Sequence, residues 1–172
     1  MTDVPHGLSE RDSAEIPDPH RRTFVGSLLV GAIAIPFTAP LLAATGVNAI
    51  EVWTGPSCSC CQDWVKHLRA NGFDVTSHDG GNSEARKRLG LPARYGSCHT
   101  AETDGFAIEG HVPAAEIRRL LDERPNAIGL SVPAMPRGSP GMDGPAYDGV
   151  HDPYDVLLIG HDGTAEVYRS YP

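Results

Sequence analysis

The fold turns on Ala49-Ile50-Glu51-Val52-Trp53-Thr54-Gly55-Pro56-Ser57-Cys58-Ser59-Cys60-Cys61-Gln62-Asp63-Trp64-Val65-Lys66-His67-Leu68. Ala49 to Trp53 has the short, β-branched character of a strand, and Gly55-Pro56 breaks it. Ser57 is a helix-capping residue type, so the spacing predicts a helix from Cys58 to about Asn71. Cys61, Trp64, Val65 and Leu68 fall at i, i+3, i+4 and i+7, one core-facing stripe. Gly72 follows where a left-handed residue ends a helix. Three cysteines in four positions therefore sit where a strand hands over to a helix.

Working outward, Phe73 to Ser77 reads as a second strand and Ser83 to Leu89 as a short polar helix stopped by Gly90-Leu91-Pro92. Cys98 to Thr103 and Phe106 to Glu109 read as strands joined by Asp104-Gly105, a strong hairpin signal. Pro113 opens a helix to about Glu123, with Ile117, Leu120 and Leu121 facing the core. Gly and Pro concentrate between Pro125 and Pro153, which predicts a long ordered loop. Asp155 to Ile159 and Ala165 to Tyr168 then form a hairpin around His161-Asp162-Gly163. The expected class is α/β and thioredoxin-like: a central mixed sheet flanked by helices, with a C-terminal β-hairpin after the Gly/Pro loop.

Ahead of this domain, the chain is polar to about residue 22 and uncharged from Phe24 to Ala44. Arg21-Arg22-Thr23-Phe24-Val25 resembles the twin-arginine export motif, an address rather than an anchor. Residues 1–44 are expected to be an export signal cleaved between Ala44 and Ala49, leaving a 45–172 domain outside the cytoplasm, in the periplasm. The competing reading is a single membrane anchor, since the run is about long enough to span a bilayer. Pro36, Pro40 and the small residues after them favour cleavage.

From Thr45 onward there are 17 acidic and 11 basic residues, a net charge of −6. That balance argues against nucleic acid and anionic membranes as partners. No serine–histidine–acid set, phosphate-binding glycine loop or paired-carboxylate pattern stands out. The acidic residues are spread singly, as on a solvated face.

The chemistry therefore rests on Cys58, Cys60, Cys61 and Cys98, the only cysteines. Exported thiols oxidise unless they pair or bind metal. Cys58 and Cys61 form a C-x-x-C, the spacing of thiol–disulfide exchange, with Cys58 attacking and Cys61 resolving. A helix N-terminus lowers thiol pKa values and favours thiolates. Soft thiolates select Cu(I), Zn(II) or iron–sulfur clusters. Adjacent Cys60-Cys61 strains a single tetrahedral zinc centre, suits sulfurs that bridge several Cu(I) ions, and leaves Cys60 pointing partly away from the other two. Cys98 lies in the segment expected to face the C-x-x-C. The plain alternative is two disulfides, Cys58–Cys61 and Cys60–Cys98.

Other candidates for metal contact are His99, His111, Met135 and Met142. His99 adjoins Cys98 but turns to the opposite face if both lie in one strand. His111 precedes a helix and is equally placed to cap it. Met135 and Met142 lie in a Pro/Gly loop, as soft thioether ligands or as packing groups. His67, His78, His151 and His161 read as solvated.

Taken together, Cys58-Ser59-Cys60-Cys61, Ser97-Cys98-His99-Thr100, Glu109-Gly110-His111-Val112-Pro113, Val132-Pro133-Ala134-Met135-Pro136, Gly138-Ser139-Pro140-Gly141-Met142 and Asp152-Pro153-Tyr154-Asp155-Val156 resemble the CopG-type periplasmic copper-resistance family. The resemblance covers nearly all of the chain from Ala49 onward. It implies copper bound by Cys58, Cys60, Cys61 and Cys98, as a multinuclear and redox-active cluster. It also implies a place beside periplasmic copper-efflux or copper-oxidising proteins. Ser59 stands where many relatives would carry glycine. The expected function is copper binding in resistance or homeostasis. A thiol–disulfide oxidoreductase is the alternative, and a structural zinc domain ranks last.

Overall fold

Alternation along β1 (Ala49–Thr54) buries Ile50, Val52 and Thr54 and leaves Ala49 and Glu51 in solvent. The computed structural model describes residues 49–172, so the expected 1–44 export segment lies outside them. No helix among the described residues is long and apolar enough to cross a membrane. The helix that follows, α1 (Ser59–Ala70), buries Cys61, Trp64, Val65 and Leu68, the expected stripe. Removing Trp64 and Leu68 from water contributes about 2–3 kcal/mol each. Gly72 leaves the helix with φ 78°, as its position required.

The start of α1 differs from the expectation. Ser57 is not the cap: it takes a left-handed φ of 56°, and the chain enters the helix one residue later. Cys58 is itself the N-cap, and its sulfur accepts from the Cys61 N–H at 3.3 Å.

The chain continues through β2 (Asp74–Asp79), α2 (Asn82–Arg88), β3 (His99–Thr103), β4 (Phe106–Glu109), α3 (Ala114–Glu123), β5 (Gly129–Ser131), β6 (Tyr154–Ile159) and β7 (Ala165–Tyr171). The strands form one seven-stranded mixed sheet in the order β2-β1-β3-β4-β5-β6-β7. β1–β2 and β4–β5 pair in parallel, and the other neighbours are antiparallel. Asp104 and Gly105, at φ 47° and 84°, make the tight β3–β4 turn.

The core gathers Ile50, Val52, Trp64, Leu68, Ile108, Ile117, Leu120, Leu130 and Val156. Pro113 precedes α3 as its N-cap rather than opening it, and Ile117, Leu120 and Leu121 are buried as expected. The Gly/Pro stretch contains one unforeseen strand, β5. It is three residues long and inserts between β4 and β6, so the irregular segment begins only at Val132. Its turn at Gly141 packs on the start of α1. A Cβ at Gly141 would stand 2.6 Å from the Trp64 nitrogen and 2.7 Å from the Cys60 carbonyl oxygen.

Candidate metal centre

Two chain segments meet at the front of the sheet. One is the start of α1, carrying Cys58, Cys60 and Cys61. The other enters β3 and carries Cys98. Their register is fixed by the β1–β3 pairing, which sets Thr54 opposite His99. The next bond outward runs from the Gly55 N–H to the Cys98 carbonyl at 2.9 Å. Asn82 Nδ2 also donates to that carbonyl at 3.3 Å, and Cys61 Sγ lies 3.6 Å from it.

The four Sγ atoms all lie within 4.8 Å of one another. Cys58 and Cys61 are joined by a disulfide, with Cα atoms 5.3 Å apart. Cys60 and Cys98 are free thiols. Cys60 does not point away: its sulfur is 3.3 Å from Cys58 Sγ and 4.0 Å from Cys98 Sγ, bridging the two segments. Of the two disulfides in the alternative reading, Cys58–Cys61 is formed, and Cys60 and Cys98 stand facing as thiols. Burial, and then the neighbouring Cys60, push the Cys98 thiol up to about 12. A thiolate there needs a cation beside it.

His99 and His111 complete a second group with Cys98, again with ligand atoms within 4.8 Å of one another. His99 Nδ1 is 3.3 Å and His111 Nε2 3.2 Å from Cys98 Sγ. The expectation that His99 would alternate away fails because Cys98 lies just outside β3, where strand alternation does not govern its direction. His111 Nδ1 lies 2.8 Å from the Pro140 carbonyl. That oxygen only accepts, so Nδ1 carries the proton and Nε2 turns its lone pair to Cys98. Anchoring one ring nitrogen on a carbonyl in this way is how ligating histidines are oriented. Desolvation lowers the pKa of His111, and burial with the adjacent His111 lowers that of His99 to about 3. Both rings are therefore neutral. His99 Nε2 is buried without a hydrogen-bond partner, and its ring packs on Trp64 at 4.2 Å between centroids.

The donor set is four sulfurs flanked by two neutral imidazoles, which suits a soft ion better than a hard one. Thiolate ligation by all four sulfurs requires that the Cys58–Cys61 bond first be reduced by two electrons.

The methionines part company. Met142 is buried directly after Gly141, whose backbone approaches the Cys60 carbonyl, whereas Met135 is exposed and lines a shallow groove with Pro133, Pro136 and Tyr154. His67, read as solvated, is partly buried and accepts the Ala114 N–H on Nε2 at 3.1 Å, supplying the cap that α3 lacks.

A supporting layer was missed altogether. Glu109 is fully buried and accepts from Arg86 Nη2 at 2.6 Å, the Ser97 N–H at 2.5 Å and Thr100 Oγ1 at 2.7 Å. An acid closing the otherwise apolar strand Phe106-Ala107-Ile108-Glu109 was the signal that could have found it.

Comparison with known proteins bears on this site. The family model described as "Protein of unknown function, DUF411" matches residues 95–142, which carry Cys98, His99 and His111. No curated protein matches the chain. Two solved structures do. Copper resistance protein CopG, form 1, is 46% identical over 74% of this chain and 99% of its own, with a TM-score of 0.68. Form 2 is 47% identical over 72% of this chain and 98% of its own, with a TM-score of 0.66. A likeness of that extent and identity, on a fold whose cysteines converge as described, places the chain in the CopG copper-resistance protein family.

Proposed function

We propose that this protein is exported and binds Cu(I) through Cys58, Cys60, Cys61 and Cys98, as a thiolate cluster of several ions serving copper resistance or homeostasis. The observation that carries the reading is the meeting of four sulfurs from two segments within 4.8 Å. Four thiolates give a formal charge of −4 that several monovalent copper ions offset, and soft sulfur prefers Cu(I). His111 and His99 supply neutral nitrogens at the Cys98 side. The β2-β1-β3-β4 part of the sheet, with α1 leading from β1, is read as a thioredoxin-like unit whose front end carries the site.

The test is copper bound per chain after anaerobic reduction, Cu(I) addition and removal of loose metal, with a parallel thiol count. Several ions per chain with all four thiols protected is the expected result. Loss of any one cysteine should release much of the copper, and full loading of the quadruple serine variant refutes the site.

A second reading has its own observation: the Cys58–Cys61 disulfide is formed. As a thiol–disulfide oxidoreductase the protein would exchange that bond with a substrate dithiol, and would need neither Cys60 nor Cys98. Turnover of insulin or glutathione disulfide that survives Cys60→Ser with Cys98→Ser would favour it over copper binding.

A further inference from the structure

Cys98 is held from behind by a buried ion pair. The Arg86 side chain is 14% exposed and Glu109 wholly buried. Arg86 Nε and Nη2 donate to Glu109 Oε1 at 3.0 and 2.6 Å. The same oxygen accepts the Ser97 N–H at 2.5 Å, and Arg86 Nη2 also donates to the Ser97 carbonyl at 2.8 Å. Both backbone polar groups of Ser97 are thus tied to one pair of side chains. Replacing a buried ion pair by apolar groups is often neutral or stabilising, so stability alone is a weak reason for this one. What the pair does hold is the chain immediately before the sulfur that bridges to Cys60.

We propose that Arg86 and Glu109 are positioning residues that clamp the Ser97–Cys98 peptide and so hold Cys98 Sγ against the α1 cysteines. The clamp's effect on copper rests on the proposed function; its effect on cysteine geometry does not. Glutamine should keep the hydrogen bonds of the clamp, at a cost in overall stability because the Arg86 cation loses its partner charge. Thr100 Oγ1 is within donating distance of both the Asn82 carbonyl, at 3.0 Å, and Glu109 Oε2, at 2.7 Å, but has one proton to give. In Glu109→Gln the new amide would donate to that hydroxyl while its oxygen still accepted from Ser97 and Arg86. The double variant Arg86→Met/Glu109→Leu keeps volume and removes every bond from this pair to Ser97, leaving the Ser97 hydroxyl on the Ala134 carbonyl and the Gly55 and Asn82 donors on the Cys98 carbonyl. Arg86→Lys keeps the charge pair but lacks the fork that spans Glu109 and the Ser97 carbonyl.

The first readout needs no copper. In glutathione buffers, Cys60 and Cys98 thiols give up two electrons and two protons to glutathione disulfide, forming one protein disulfide and two glutathione thiols. Mass spectrometry of the quenched protein gives that equilibrium constant. The second readout is Cu(I) affinity against a colorimetric Cu(I) chelator. The double variant is expected to lose on the order of tenfold in both, since several net hydrogen bonds hold the segment. Arg86→Lys should lose part of this, and Glu109→Gln should stay near the parent. Thermal unfolding identifies folded variants; if the double variant does not fold, Arg86→Lys against Glu109→Gln carries the comparison. A folded double variant or Arg86→Lys with parental Cys60–Cys98 pairing overturns the clamp, whatever happens to copper. A parent protein that holds no copper, with pairing still lost in the variants, overturns the proposed function and leaves the clamp standing.

Discussion

The loop over the site makes Gly141→Ala the most informative single change. Gly141 has φ 85°, and its missing Cβ would meet the Trp64 nitrogen at 2.6 Å, the Cys60 oxygen at 2.7 Å and the Trp64 Cα at 3.1 Å. These are backbone atoms of α1 and cannot rotate aside. Two controls divide the cost. Gly144 has φ −75° and open space around it, so Gly144→Ala should move stability by no more than about 0.5 kcal/mol. Gly90 has φ 75° and also open space, so Gly90→Ala isolates the left-handed backbone penalty, about 1–2 kcal/mol. Gly141→Ala adds to that an overpacking cost of about 1–3 kcal/mol, for a total near 2–5 kcal/mol. With an m value of about 1.5 kcal/mol per M, the urea midpoint should fall by about 1–3 M in reduced, metal-free protein. The loop also carries Pro140, the anchor of His111, and Met142, so copper loading should fall in the surviving folded fraction. A Gly141→Ala midpoint coinciding with that of Gly90→Ala would refute the close packing of this loop on α1.

His67 links α1 to the start of α3, and burial lowers its pKa. Below its unfolded pKa of about 6.5 the unfolded chain takes up a proton that the folded chain resists, so this contribution is intact above that pH and is lost as pH falls toward the folded pKa. His67→Gln should flatten the stability profile below about pH 6.5; an unchanged slope in urea titrations contradicts the capping role. Trp64 lies against His99, which touches Cys98, and the chain has 2 tryptophans. In Trp53→Phe protein the remaining emission should fall on Cu(I) addition, and constant emission at full loading would place the metal away from His99. Disulfide and copper should also exclude one another at Cys58 and Cys61: protein with the Cys58–Cys61 bond intact should bind less copper than reduced protein, and equal loading would remove these two sulfurs from the ligand set.

Much of the scaffold could be read from sequence because its signals are local. The α1 stripe, the Asp104-Gly105 turn and the apolar face of α3 each depend on spacing within one element. β5 could not be read this way. Three residues have no period, and Gly129-Leu130-Ser131 becomes a strand only because β4 and β6 supply edges on both sides. The cysteine cluster was legible from its spacing, whereas the start of α1 was misplaced by one residue. The capping rule weighs Ser57 by side-chain type, but its backbone is left-handed and Cys58 takes the cap position. Arg86 and Glu109 were passed over for a different reason. A charge in a short polar helix and an acid at a strand end each look solvated until the fold brings them together.

Register explains why the site exists as one unit. Pairing Thr54 with His99 puts Gly55 beside Cys98, so the strand that ends in the cysteine motif and the strand that begins after Cys98 finish at the same level of the sheet. A one-residue slip would exchange the two faces of β3 along its length. Ala101 would leave the core, and His99 would lose its place between Trp64 and His111. The core thus enforces the register, and the register brings the sulfurs together. The Arg86–Glu109 pair acts just past the last bond of the ladder, from the Gly55 N–H to the Cys98 carbonyl: Ser97 precedes that bond and is held by side chains. Strand pairing sets the level of Cys98 along the sheet; the buried pair sets the direction in which its sulfur leaves the chain.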